Sequence, residues 1–293
     1  MHGFLNIDKP AGLTSHDVVA RVRRLSGQRR VGHTGTLDPA ATGVLVVAIG
    51  AATRLIEYVQ DQTLKRYTAV VCLGLTTTTD DAAGDILERH PVPAVDIAVI
   101  ERALAPLRGE IMQTPPMYAA LHYAGRRLYE LARKGITVNV PPRAVYVERL
   151  DVVMYAPPLL TLDVVCGKGT YVRALARDLG TALGCGGHLA ALRRTAVGAF
   201  QIADATSLAE LEQHDAAFLA SRLLPPETAV ADWHLLNLDR EQARRIRDGL
   251  PIAAEADGPT HARSHGPDGV LLALLRRDGD LWRPLKVFDW TER

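Results

Sequence analysis

The sequence predicts a chain of mixed helix and strand, and three observations carry that reading. Valine-rich runs of strand length recur, with residues 44–49 the most continuous of them. Between such runs lie amphipathic stretches, as where Val18, Val19, Val22 and Leu25 line one helical face. Glycines and prolines mark the joins between the two kinds of segment. With 293 residues and 47% hydrophobic content, the chain can bury a sizeable core and fill two domains.

The elements follow in order. A short apolar run near the N-terminus ends in a turn at Lys9-Pro10-Ala11-Gly12. Ser15 is the expected N-cap of the helix that follows, and Gly27 its end. Arg21, Arg23, Arg24, Arg29 and Arg30 cluster around that helix, for solubility or for phosphate contact. Residues 32–50 read GHTGTLDPAATGVLVVAIG. Pro39 drives Asp38 into an extended conformation, which puts one carboxylate on a stiffened loop at the edge of a buried strand. The ordinary role of such an aspartate is to cap its own turn. Residues 52–58 predict a short helix and 65–74 a strand carrying Tyr67. Pro91 and Pro93 break the chain before a helix over 95–107, with Ile97, Ile100, Leu104 and Leu107 on its apolar face. A strand over 159–166 leads to a Gly167-Lys168-Gly169 turn. Thr170 is the expected cap of the next helix, and Ala174, Leu175 and Leu179 its buried stripe. Residues 205–231 are acidic and contain Pro225-Pro226, a helix and connector. Residues 232–293 hold a helix near 241–248 and short apolar runs such as 270–275.

The net charge of +1 averages unlike parts. Residues 1–200 carry 23 Lys+Arg against 17 Asp+Glu, residues 201–260 carry 5 against 11, and residues 261–293 carry 6 against 5. The positive surplus of the first part permits an RNA partner without requiring one. Cys72, Cys166 and Cys185 are odd in number and far apart, which suits a reducing compartment. Cys185 and His188 have ligand-like spacing but no second pair, so no metal site is expected. No apolar segment has bilayer-spanning length and the N-terminus lacks a signal pattern. A cytoplasmic monomer without membrane association is expected.

The stretch HTGTLDPAATGVL resembles the active-site motif of the TruB family, the bacterial tRNA pseudouridine-55 synthases. Further blocks over the first two hundred residues share the resemblance: FLNIDKPAGLTSHDVV, the Lys65-Arg66-Tyr67 strand, GLTTTTDDAAGD, QTPPMYAALHYAGRRLYELARKG, CGKGTYVRALARDLG and HLAALRRTAVGAF. It implies an α+β fold with a mixed, mainly antiparallel sheet in a catalytic domain over 1–204. An RNA-binding insertion over about 113–149, a helix and connector over 205–231, and a PUA-like β-barrel over 232–293 complete it. The implied activity is isomerisation of uridine 55 in the T loop of tRNA, by base flipping and without a cofactor. Asp38 is then the nucleophile and Arg173 its ion-pair partner, expected to hold the carboxyl ionised and its pKa low. Tyr67 stacks on the uracil; Tyr171 and Leu192 complete its pocket, and His33 helps hold the extruded nucleotide. Asp81 and the turn at Lys9 support the site. Tyr118, Arg126, Arg127, Tyr129 and Arg133 suit a basic, aromatic surface for the T arm. Thr78 stands where family members commonly carry Asp, and His122 where a lysine is expected. The terminal barrel, free of these motifs, is expected to serve affinity rather than chemistry.

The chemistry agrees with the residues. Moving a base from nitrogen to carbon attachment needs a bond cut and a ring turned, with no redox step, and a carboxylate on a rigid loop is the least equipment for it. Two other classes stay open at this point. One is a non-catalytic RNA-binding or tRNA-folding protein using the same basic surface. The other is an aspartyl-phosphate phosphotransferase built on Asp38, which would lack an acidic magnesium cluster and a phosphate-binding Gly-Lys-Ser/Thr loop.

Overall fold

The structure is a computed structural model and describes residues 1–119, 122, 123, 126–128, 136, 138–255 and 257–290. Strand β1 (Gly3–Lys9) leads through helix α1 (Ser15–Ser26) to β2 (Val31–His33) and β3 (Thr42–Ile49). A 3₁₀ turn and α2 (Ile56–Gln62) precede β4 (Lys65–Leu73), the hairpin of β5 (Leu75–Thr77) and β6 (Ile86–Arg89), then α3 (Ile97–Leu104) and β7 (Gly109–Gln113). The small hairpin of β8 (His122–Tyr123) and β9 (Arg126–Arg127) precedes β10 (Arg143–Ala156), β11 (Leu159–Cys166), α4 (Val172–Ala182) and β12 (Gly187–Val197). Short β13 (Phe200–Gln201) and β14 (Thr206–Ser207) lead to α5 (Leu208–Gln213) and α6 (Ala216–Ser221). The chain closes with β15 (His234–Asn237), α7 (Arg240–Arg247), β16 (Ile252–Ala253), β17 (His261–His265), β18 (Leu271–Asp278) and β19 (Leu281–Val287).

One mixed sheet organises the first two hundred residues, in the order β14-β1-β3-β12-β4-β11-β10-β7, with β2 on β3 and β13 on β12. Its pairs are antiparallel except β1 with β14 and β3 with β12. The α+β class and the mainly antiparallel sheet expected from the resemblance are therefore observed. A second sheet, in the order β15-β17-β18-β19-β16, forms the PUA-like terminal part. No helix among the described residues is long and apolar enough to cross a membrane.

Strand β3 explains why its sequence is apolar throughout. Val44, Val46 and Ala48 enter one hydrophobic cluster, while Leu45, Val47 and Ile49 enter another on the opposite face. Gly43, with φ +99°, lies against β12, where an added Cβ would fall 2.1 Å from the Arg194 carbonyl oxygen. Strand β4 instead alternates, so Lys65, Tyr67, Ala69, Val71 and Leu73 are buried on one face.

Several local expectations need correction. The cap of α1 is Thr14, whose side chain and that of Asp17 each accept the other's backbone N–H in a capping box. Ser15 lies one residue inside the helix and is buried. At α4 the N-cap position belongs to Tyr171 rather than Thr170, and no side chain caps it. Gln113 instead accepts from the Tyr171 N–H at 2.8 Å and donates to its carbonyl at 3.1 Å. Helix α3 begins after the cap Asp96, and Ile97 is exposed while Ile100 and Leu104 are buried.

The terminal sheet is also less separate than its sequence suggested. Leu271, Leu274 and Phe288 share a cluster with Phe4, Val44, Val46 and Ala48. Arg54 donates to the Val287 carbonyl at 2.7 Å, and Lys286 returns a bond to the Arg54 carbonyl at 2.7 Å and pairs with Glu57.

Candidate active site

Asp38 sits in the loop between β2 and β3, and the surrounding elements fix that loop from three sides. The Ser15 hydroxyl accepts from the Leu37 N–H at 2.9 Å and lies 3.2 Å from the Leu37 carbonyl. The fully buried Lys9 donates to the carbonyls of Pro10, Leu13 and Pro39, and the Gly12 N–H also reaches Pro39. Arg194 donates to the carbonyls of Val44 at 2.7 Å, Gly35 at 3.1 Å and Thr36 at 3.5 Å. Arg194 is only 1% exposed, so it serves neither as a surface charge nor as an exposed contact for RNA. Arg193, its neighbour on β12, points the other way to Asp8 at 2.8 Å.

The first turn of α4 supplies the positive charge. Arg173 Nε lies 3.1 Å from Asp38 Oδ2, and its Nη1 lies 3.4 Å from Asp81 Oδ2. The same guanidinium donates to the carbonyls of Thr79 and Tyr118, both at 3.1 Å. One turn on, Arg177 holds Asp80 at 2.8 Å, so successive carboxylates of the β5–β6 turn dock on successive turns of one helix. Asp80, in the left-handed region at φ +60°, was not anticipated. Thr78 closes that turn, exchanging bonds with the backbone of Asp85.

The expected low pKa of Asp38 is not what the surroundings give. Desolvation in the cleft pushes the carboxyl above its ordinary value, Arg173 opposes it, and Asp81 adds to the rise. Arg173 is one of three charged neighbours, and its sequence position could not weigh it against burial. An upward direction leaves the carboxylate less stabilised and more reactive.

A cavity of about 380 Å³ opens beside Asp38, with Tyr67, Tyr171, Leu192, Arg173, Lys65 and Arg194 in its wall. Tyr67 is buried and its hydroxyl is pushed up to about 12 by desolvation, so the ring stays neutral. Arg143 sits 5.1 Å over the ring of Tyr171, which also packs on the cluster of Ala119, Leu128 and Val140. Ala119, Leu128 and Val140 are thus linked to the cavity wall through Tyr171. Tyr129 and Arg133 lie outside the described residues, as do the side chains of His122, Arg126 and Arg127.

His33 does not line this cavity. Its ring meets His16 edge-on at 5.4 Å, and its Nδ1 accepts from the Gly35 N–H. Burial, with His16 and Arg194 nearby, lowers its pKa to about 4. The folded protein therefore refuses a proton that the unfolded chain takes near 6.5. Stability should be full above that pH and fall as pH drops toward 4, by on the order of 1–3 kcal/mol. Thermal melts across pH 4–7 should show the slope in the unchanged protein and a flatter one in His33→Gln.

Sequence comparison adds to this geometry. Residues 23–172 match the TruB family pseudouridylate synthase N-terminal domain. Residues 173–231 match the tRNA pseudouridylate synthase B C-terminal domain, and residues 233–289 the C-terminal domain of tRNA pseudouridine synthase II. The tRNA pseudouridine synthase B of Dehalococcoides mccartyi is 43% identical over 98% of this chain and 97% of its own. That of Thermobifida fusca is 45% identical over 98% of each. A chain from the crystal structure of a Cbf5-Nop10-Gar1 complex superposes with a TM-score of 0.74 at 25% identity, covering 98% of this chain and 85% of its own. With the Asp38 loop, the α4 arginine and the two-sheet architecture already in place, the conclusion is that this chain belongs to the TruB family of pseudouridylate synthases.

Proposed function

We propose that the protein converts uridine to pseudouridine at position 55 in the T loop of tRNA, with Asp38 as nucleophile. The observation that carries this reading is the Asp38–Arg173 pair at the wall of a cavity shared with Tyr67, Tyr171 and Leu192. The cavity can take an extruded base: Tyr67 offers an uncharged aromatic face, Leu192 an apolar one, and Asp38 a partly open carboxylate. Asp81 and Lys9 hold Arg173 and the loop. His33, outside the cavity wall, would meet the nucleotide from the β2 side of the same loop. The family names of the matched regions and relatives support tRNA as the substrate. Residues 1–204 would hold the chemistry, 205–231 connect, and 232–293 add tRNA affinity, in a cytoplasmic monomer.

The test is an unmodified tRNA transcript incubated with the protein alone. Uridine 55 should become pseudouridine without change of mass, and a transcript with cytidine there should yield none. Failure to convert the uridine transcript would leave the RNA-binding reading.

Stacking makes a separate expectation. Tyr67→Ala should lose on the order of 1–3 kcal/mol of base contact, while Tyr67→Phe keeps the face and most of the binding. Equal binding and turnover by the two variants would remove Tyr67 from the pocket.

A further inference from the structure

Two charged clusters share the one cavity. The charges acting on Asp38 are Arg173, Asp81 and Lys9. Lys65 and Arg194 belong to the other cluster, with Tyr67, Cys166, Asp61 and Lys168. The strand period of β4 places Lys65 on the same inward face as Tyr67, two residues along. Its side chain ends in the cavity wall with the residue 9% exposed. Among the described residues the ammonium has one hydrogen-bond acceptor, the Gln60 carbonyl at 3.1 Å, for its three hydrogens. Arg194 donates to three carbonyl oxygens and its charge bears on the Tyr67 hydroxyl. Neither cation has a carboxylate within ion-pair distance among the described residues. Asp38 and Asp61 also line the cavity, and Asp61 acts on Lys65 from a distance, but neither is in ion-pair contact with these two buried cations, which leaves them able to meet negative charge on a bound ring.

The proposed reaction generates such charge. Asp38 can attack the sugar carbon C1′, attack the ring, or remove a sugar proton. In each route the electron pair gained by the base spreads over the ring, onto O2 and O4. When the N1–C1′ bond breaks, that pair stays with the detached base. It then forms the C5–C1′ bond as Asp38 is released from the carbon it attacked, or gives back the sugar proton it removed; the C5 hydrogen leaves as a proton, and N1 takes one up. Nothing is oxidised or reduced.

We infer that Lys65, backed by Arg194, is a further catalytic residue whose ammonium stabilises the negative charge on a uracil ring oxygen; this rests on the function proposed above. A backbone phosphate is the weaker match, because so buried a cation is reached by a ring entering the cavity beside Tyr67 and Leu192, whereas phosphates remain at the surface.

The experiment compares Lys65→Met and Lys65→Arg with the unchanged protein, using tRNA with uridine or 5-fluorouridine at the target position. Lys65→Met should keep its tRNA affinity and slow single-turnover rearrangement on the order of 100-fold, as loss of one charge-stabilising donor does. Lys65→Arg should recover much of the rate. Fluorine stabilises the ring anion by induction, so the Lys65→Met defect should shrink to roughly a tenth of its size on the fluorinated tRNA. An equal defect on both substrates would mean a structural role, and a loss confined to affinity would mean a phosphate contact; either overturns the inference, as does an unchanged rate. Should Lys65→Met not fold, Lys65→Gln makes the same comparison. If the unchanged protein forms no pseudouridine, the proposed function has failed, which is a different result from an active protein indifferent to Lys65.

Discussion

Asp38→Asn is expected to abolish pseudouridine formation, by at least on the order of 10⁴-fold in single turnover, while tRNA binding stays nearly unchanged. Asparagine keeps the shape and one acceptor oxygen, and the loop is held through Leu37 and Pro39 by Ser15, Lys9 and Gly12, none of which touches the carboxylate. The stability sign runs the same way. A carboxyl whose pKa is raised by folding opposes folding at every pH where it is ionised, and that cost fades as pH falls through the folded value. Removing the charge should therefore not lower the melting temperature at pH 7. Pseudouridine measured by mass-neutral chemical labelling, beside a tRNA binding isotherm, checks both parts. An Asp38→Asn protein that still converts uridine, with contaminating enzyme excluded, would place the chemistry elsewhere.

Arg173→Ala carries the second large effect, because four acceptors depend on one guanidinium. Without it Asp38 and Asp81 face each other, and the carbonyls of Thr79 and Tyr118 lose their donor. Arg173 is buried but the Asp38 carboxylate is 41% exposed, so losing the guanidinium costs on the order of 1–3 kcal/mol of stability, mostly through the carbonyls and Asp81 left without a donor. The rate should fall on the order of 10²–10³-fold at pH 7. Arg173 is the leading influence that lowers the Asp38 pKa, so its loss moves that value further up. The fraction ionised then grows with pH, and the variant should recover part of its rate as pH rises. Arg173→Lys separates the two functions: it keeps the charge and the pH profile, but cannot reach four acceptors and stays slow. A pH–rate profile identical in the Ala and Lys variants would contradict this account of Asp38.

The residues of the site were legible where their chemistry is carried by a motif, and illegible where a neighbour decides. Asp38, Tyr67, Arg173 and Asp81 stand in distinctive blocks, and the fold brings them to one cavity or its support. Thr14 and Ser15 are both competent caps; the choice falls to Thr14 because the loop at Leu37, 22 residues on, takes the Ser15 hydroxyl. Arg193 and Arg194 are chemically identical, yet alternation on β12 sends one to Asp8 and the other inward. The same two-residue period, applied from Tyr67 back to Lys65, was the available signal for Lys65. The upward pKa of Asp38 had no such signal, since desolvation depends on which distant elements close over the loop.

The interior shared by Phe4, Val44, Val46 and Ala48 with Leu271, Leu274 and Phe288 bears on how such a protein can be inherited. The join near residue 232 is a seam in composition, but the strand leaving the Asp38 loop has its other face sealed by the far end of the chain. A terminal sheet grafted from a relative would bring the lid of one interior to the box of another. Exchange should succeed when residues 44, 46 and 48 travel with it and fail when they do not. The two parts are thus expected to change together, so recombination near residue 232 offers no easy route to a new RNA specificity.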